Sequence, residues 1–246
     1  RLISTRAAAA TAFLVWDVLI TLDDEVELIW SRPNAFRTKW LFLFVRWFAV
    51  FLQLSLIFVG TDVAASLHYP ARACTIWYVY QEAATQALIA AVEIVLMIRV
   101  QALYLRSRCV TYTLYALFAA ENVGMIVALV RVVPGVEFDS ACVVTRSPFG
   151  LVYFAAAFGA FETILFGLTL AKFVSALYHG WGDTPVLALL VRDGTWAFFL
   201  VFAALVINAA FYLGASNALS ATAYQWLLTA ESLAGARLIL NMLSLE

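Results

Sequence analysis

The sequence predicts an all-α membrane protein: one domain over residues 1–246, a bundle of seven transmembrane helices, N-terminus outside and C-terminus cytosolic. Three observations predict it. Hydrophobic residues make up 65% of the chain and charged residues 13%, at a mean hydropathy of +0.92. A soluble domain averages roughly 45–50% apolar and about 25% charged residues. Seven apolar runs approach or exceed the roughly 20 residues a helix needs to cross a hydrocarbon core about 30 Å thick. All 5 prolines fall between those runs.

The runs cover residues 7–22, 40–60, 76–104, 111–133, 149–173, 195–213 and 221–243. The first is the shortest and carries Asp17, but Arg1 and Arg6 can extend it by reaching toward headgroups. Spanning strands are not expected, because the runs are long, continuous and rich in Ala and Leu, without alternation. Helices free of internal proline should be nearly straight, unlike the broken helices of many transporters. No cleavable leader pattern is visible, so the first run is expected to persist as a span.

Orientation follows from Lys and Arg in the short connections. Arg32, Arg37, Lys39, Arg46, Arg99, Arg106, Arg108, Lys172, Arg192 and Arg237 fall on one side; Arg1, Arg6, Arg72, Arg131 and Arg146 fall on the other. The first group marks the cytosol. Cys74 and Cys142 then share the oxidising face, where a disulfide persists, and Cys109 stays reduced inside. A bridge from the top of helix three to the following outer loop is also the arrangement of seven-helix receptors.

Net charge of −1 and the lack of a basic run exclude a nucleic-acid partner. No phosphate-binding glycine pattern and no H-E-x-x-H zinc motif occurs. His68 and His179 lie in loops on opposite faces, and no lysine sits mid-span to carry retinal. No cofactor is expected. The lipid bilayer is the one obligatory partner, and the location is a plasma membrane or an endomembrane.

Residues 21–30, TLDDEVELIW, concentrate four carboxylates, Asp23, Asp24, Glu25 and Glu27. If helix one continues through them, Leu22, Val26, Ile29 and Trp30 share one side and Asp23, Asp24 and Glu27 another. The stretch reads as the cytosolic mouth of the bundle, neutralised by Arg99, Arg106, Arg192 and Arg237. The alternative is magnesium, since D-D-x-x-E spacing (Asp23, Asp24, Glu27) is one that some prenyl-diphosphate enzymes use and carboxylate oxygens suit that ion.

Trp16-Asp17, Leu19-Ile20-Thr21-Leu22 and Glu25-Val26-Glu27-Leu28-Ile29-Trp30 together resemble the signature of a large group of fungal seven-helix membrane proteins of unknown function. Arg99-Val100-Gln101-Ala102-Leu103-Tyr104 resembles the group's close of helix three. Arg192-Asp193-Gly194 resembles its entry into helix six, and Arg237-Leu238-Ile239-Leu240-Asn241 its C-terminal ending. Asp24 and Gln101 depart from the group, which often has a basic and an aromatic residue there. The resemblance implies the fold and a fungal source but no activity. Its segments map to cytosolic helix ends, where Asp17, Asp23, Asp24, Glu25, Glu27, Arg99, Arg192, Asp193 and Arg237 are expected to form one charge network.

Glu93, Glu121, Glu162 and Glu231 fall well inside four different spans, and Glu82 lies nearer the outer end of helix three. A charged side chain at mid-bilayer costs on the order of 2.5–3.5 kcal/mol, so such groups turn inward. They must be protonated, hydrogen-bonded to neighbouring Ser, Thr or Tyr, or paired with a bound cation. A cationic amine, a metal ion, a proton relay, or a general acid acting on an isoprenoid would each use them. Trp77 and Tyr80 beside Glu82 would suit an amine through their ring faces.

In helix five Ala155, Gly159, Thr163, Gly167 and Ala171 repeat every four residues, a stripe that lets another helix approach closely, within the chain or in a homodimer. The expected function is therefore a receptor-like protein that binds a small apolar or amine ligand between helices and passes a signal to a cytosolic partner. The alternative is a membrane enzyme acting on an isoprenoid or lipid, terpene-cyclase-like in its acid or magnesium chemistry.

Overall fold

Lipid offers no hydrogen bonds, so a chain this apolar must satisfy its backbone within each segment, which only helices or closed barrels achieve. The computed structural model describes residues 2–31, 36–59, 70–138, 142, 144–146, 151–178, 185–214 and 217–244, and it is helical almost throughout. The helices are α1 (Leu2–Ile20), α2 (Leu22–Glu25), α3 (Phe36–Leu43), α4 (Ala49–Val59), α5 (Ala71–Leu103), α6 (Arg108–Val132), α7 (Leu151–Tyr178), α8 (Pro185–Gly214) and α9 (Asn217–Leu243). Two π-helical segments interrupt the regular pitch. Val26–Trp30 continues α2, and Phe44–Phe48 joins α3 to α4 in one rod.

The polarity of this bundle is inverted. Its interior holds Asp17, Glu25, Arg46, Gln53, Glu93, Glu121, Glu162 and Glu231, while Leu19, Phe51, Ile76, Val130 and Trp196 point outward. Water would not tolerate that arrangement, and a bilayer requires it. Among the described residues, Thr38–Ile57, Arg72–Leu103, Arg108–Gly135 and Ala156–Ser175 are long and apolar enough to cross a membrane, and Ala8–Ile20 and Trp196–Phe211 are shorter apolar helices. The protein is thus an all-α, multi-pass membrane protein.

Rods α5 and α9 form the centre. Helix α9 packs on α1, α4, α5 and α8, and α5 packs on α4, α6 and α7 as well. The main core joins Val92, Leu96 and Val100 of α5 to Phe42 and Val45 of the α3–α4 rod, Phe161 and Leu165 of α7, and Leu238 and Ile239 of α9. Because protein surrounds α9, it tolerates the Gln225, Thr229, Glu231 and Ser232 buried along it.

Gly235 marks the tightest approach at that centre. A methyl group there would lie 2.8 Å from Val45 Cγ1 and 3.3 Å from Val92 Cγ2. Both neighbours are β-branched and stiff, so Gly235→Ala is expected to cost about 1–3 kcal/mol. Thermal unfolding in detergent, with Gly124→Ala as the control in open space, checks this.

Several elements differ from expectation. The α8 helix starts at Pro185, ten residues before the predicted 195, because proline suits a first helical turn and a bilayer ruler ignores turns outside the hydrocarbon. Arg192 and Asp193 therefore lie within α8 and do not lead into it; their side chains are outside the described residues, as are Arg1, His68, His179, Pro33 and Pro148. Helix one is interrupted at Thr21 alone, and the acidic stretch continues as α2 and the π-helical segment. An antiparallel hairpin, β1 (Glu137–Phe138) with β2 (Val144–Arg146), follows α6. On α7 the small-residue stripe makes no close internal contact over its later part. Thr163, Gly167 and Ala171 are exposed, and a methyl on Gly167 would meet nothing within 4 Å.

Candidate functional site

Four helices each bury one glutamate within electrostatic reach of the others. Glu93 on α5, Glu162 on α7 and Glu231 on α9 are fully buried, and Glu121 on α6 nearly so. Glu93 feels the charge of Glu121, Glu162 and Glu231, and Glu231 that of Glu162 and Glu121. No other described residue donates a hydrogen bond to any of their eight carboxyl oxygens. Among the described residues, none of the expected Ser, Thr or Tyr donors bonds to them. Glu93 and Glu121 are neighbours across α5 and α6.

Glu82 stands apart from this quartet, about three turns up α5. Tyr78 hydrogen-bonds to it from the preceding turn, and Tyr224 of α9 faces it while bonding Thr85. Trp77 and Tyr80 pack together with ring centroids 5.3 Å apart, and Tyr80 is exposed. Cys74 and Cys142 form a disulfide with Cα atoms 5.0 Å apart, tying the hairpin to the start of α5. Phe138 of β1 then meets the Tyr78 ring edge-on at 5.8 Å. Cys109 is free and exposed.

At the other end the charge network is narrower than expected and has a different partner. Arg46, in the π-helical segment of the α3–α4 rod, pairs with Glu25 at 3.1 Å, each side chain only 1% exposed. Arg46 Nη2 also donates to the Val18 carbonyl at 2.7 Å and to the Thr21 hydroxyl at 2.5 Å. Glu25 Oε1 accepts from the indoles of Trp30 at 3.2 Å and Trp47 at 3.4 Å. Arg237 forms a second pair, with Asp17 at 2.6 Å, its own side chain 49% exposed. Solvent screening leaves such a half-open pair at most about 1 kcal/mol.

Asp23, Asp24 and Glu27 are exposed and make no ion pair among the described residues, so Arg99 and Arg106 do not neutralise them. Arg99 is buried on α5, six residues beyond Glu93. Sequence reasoning missed Arg46 as a partner, although a lone arginine inside an apolar span was its signal. Among the described residues, no group of three or more His, Cys, Asp or Glu is arranged to hold a metal ion, the D-D-x-x-E set included.

An apolar groove of about 520 Å³ opens between α1, α8 and α9, lined by Phe13, Trp196, Phe199, Ile207, Phe211 and Trp226 among others. Among the described residues none in its lining is ionisable, and Thr229 supplies a hydroxyl.

Residues 6–51 match a family of unknown function, DUF6533. No curated protein and no solved structure shows significant similarity to the chain. The matched segment runs from α1 into α4 and contains both members of the Glu25–Arg46 pair, Asp17, and the two indoles.

Proposed function

We propose that the chain is a seven-span, receptor-like membrane protein whose working centre is the glutamate quartet, and that the quartet binds protons. The observation that carries this is four buried carboxyls within electrostatic reach of one another, with no donor to their oxygens among the described residues. Four negative charges cannot share a low-dielectric interior, so the site must take up cations to exist.

Protons fit it best. An organic amine needs a cavity of several hundred Å³, whereas the quartet is closed by packing and the described groove lies elsewhere. A metal ion needs converging ligands at coordination distance, an arrangement the described residues lack. Because the four acids sit on α5, α6, α7 and α9, gaining or losing a proton changes the repulsion among those helices. Proton binding thereby biases their packing, as a receptor's ligand would.

Seven spans with the N-terminus outside remain the topology this proposal adopts, with the C-terminus able to face a cytosolic signalling partner. It puts the disulfide on the oxidising face and Cys109 in the cytosol. The likeness of later segments to the fungal seven-helix group supports the same layout. The exposed stripe on α7 offers a seam for a homodimer.

A second role has its own support. The groove between α1, α8 and α9 suits one apolar chain, such as a lipid tail or an isoprenoid. A cyclase would need a carboxylic acid at its substrate, and the described lining has none, which favours binding over turnover.

Infrared spectroscopy of the protein in nanodiscs tests the quartet. The protonated-carboxyl stretch is expected at neutral pH, with intensity lost in Glu93→Gln, Glu162→Gln and Glu231→Gln. A folded protein without that band overturns the proposal.

A further inference from the structure

We infer that a single layer of apolar side chains, Ile89, Met125, Phe158, Leu205 and Leu227, is a gate that closes the glutamate quartet from the disulfide-bearing end of the bundle. Protons reach the quartet only when that layer parts. This rests on the quartet as a proton site and adds how the site is closed and opened.

The layer is built over the acids helix by helix. Ile89 of α5, Phe158 of α7 and Leu227 of α9 each come four residues before their helix's glutamate, Glu93, Glu162 and Glu231. Met125 of α6, which runs the other way, comes four after Glu121. Residues four apart lie on one helix face, a turn from each other. Leu205 of α8 completes the layer beside Gly159, where a methyl would lie 3.5 Å from its Cδ2. All five are buried, Met125 completely, and they form a cluster separate from the main core.

Polar groups resume on the far side of the layer, with Gln86 three residues before Ile89, then Glu82, and Thr85 bonded to Tyr224. Asn122 makes no bypass. Its Oδ1 accepts from Gln86 at 3.0 Å and its Nδ2 donates to the Phe118 carbonyl at 2.9 Å. Toward the opposite end the main core continues for about two turns, through Leu96 and Val100 of α5, Leu117 and Leu114 of α6, and Leu238 of α9. The thin barrier is the one facing the disulfide.

A charge crossing even one dry layer must leave water, and apolar constrictions gate by shedding the water that would carry it. Parting the layer exposes apolar surface, so the closed form is the resting one. Met125 is the side chain suited to yield, being unbranched with three rotatable bonds. Once water enters, a quartet carboxylic acid gives it a proton, the resulting carboxylate takes one back, and reclosure traps the result.

The experiment follows the quartet's carboxyl band by infrared spectroscopy after nanodiscs holding the full chain are moved into D₂O. In the wild type the band is expected to outlast the amides of exposed helix ends. Met125→Ala and Leu227→Ala should speed its exchange by about tenfold or more, because opening then separates fewer apolar contacts. Met125→Leu, which keeps the volume, should exchange like the wild type. Leu238→Ala, a void in the thicker main core, should leave the rate unchanged. Equal acceleration in Leu238→Ala, wild-type rates in both layer variants, or a wild-type band that exchanges at once overturns the gate while sparing the quartet. A folded wild type without the band overturns both. Phe158→Leu repeats the test should the alanine variants fail to fold.

Discussion

Arg46→Ala is expected to lower the unfolding free energy by about 3–5 kcal/mol, the loss typical when one partner of a buried ion pair is removed. The magnitude follows from what remains. Glu25 would keep its charge at 1% exposure with only two indole donors, and the Val18 carbonyl and Thr21 hydroxyl would lose theirs. The guanidinium also stands 5.4 Å from the Phe42 ring centre, a contact that goes with it. Glu25→Gln should cost less, since its amide still accepts from Trp30. The double change Glu25→Leu with Arg46→Met is the deciding measurement. With both charges gone, thermal unfolding should return much of the way toward wild type. Losses that simply add would mean the two residues act separately.

The same pair shows what a single sequence can and cannot reveal here. Apolar helices are written in run length, and the structure bears out the apolar, helical, multi-pass character. Rotation is not written there. Counting from an unbroken helix, Glu25 belongs to neither side of the acidic stretch. The turn at Thr21 and the π-helical segments shift the phase, and Glu25 turns inward while Asp23, Asp24 and Glu27 stay outside. A π insertion leaves no periodic trace in residues that are apolar on every face.

The quartet was half legible for a related reason. Mid-span depth singled out Glu93, Glu121, Glu162 and Glu231, but which helices are neighbours decides whether they meet. Packing of α5 against α6, α7 and α9 brings them together. Glu82 has the same residue type and the same helix yet stays apart, because it lies about 16 Å higher at 1.5 Å per residue. The small-residue stripe on α7 shows the converse: spacing says that a helix can be approached, and only the surrounding helices show where, at Gly159 against Leu205 and not at Gly167.

Removing the disulfide through Cys74→Ser is expected to cost about 2–4 kcal/mol. The bridge closes a stretch of 68 residues, for which chain entropy alone predicts roughly 4 kcal/mol. A membrane-embedded unfolded state keeps α5 and α6 helical, so the freed chain gains less disorder than a coil and the lower part of the range applies. The cost should appear as a lower unfolding temperature that reductant reproduces in the wild type and does not deepen in Cys74→Ser. The same cysteines report topology. After mild reduction of intact vesicles, a membrane-impermeant maleimide should reach Cys74 and Cys142 from the face opposite to the one exposing Cys109. The two faces are separated by the length of α5, whose 33 residues measure about 50 Å at 1.5 Å per residue. Labelling of all three from one side would remove the transmembrane arrangement of α5 and α6.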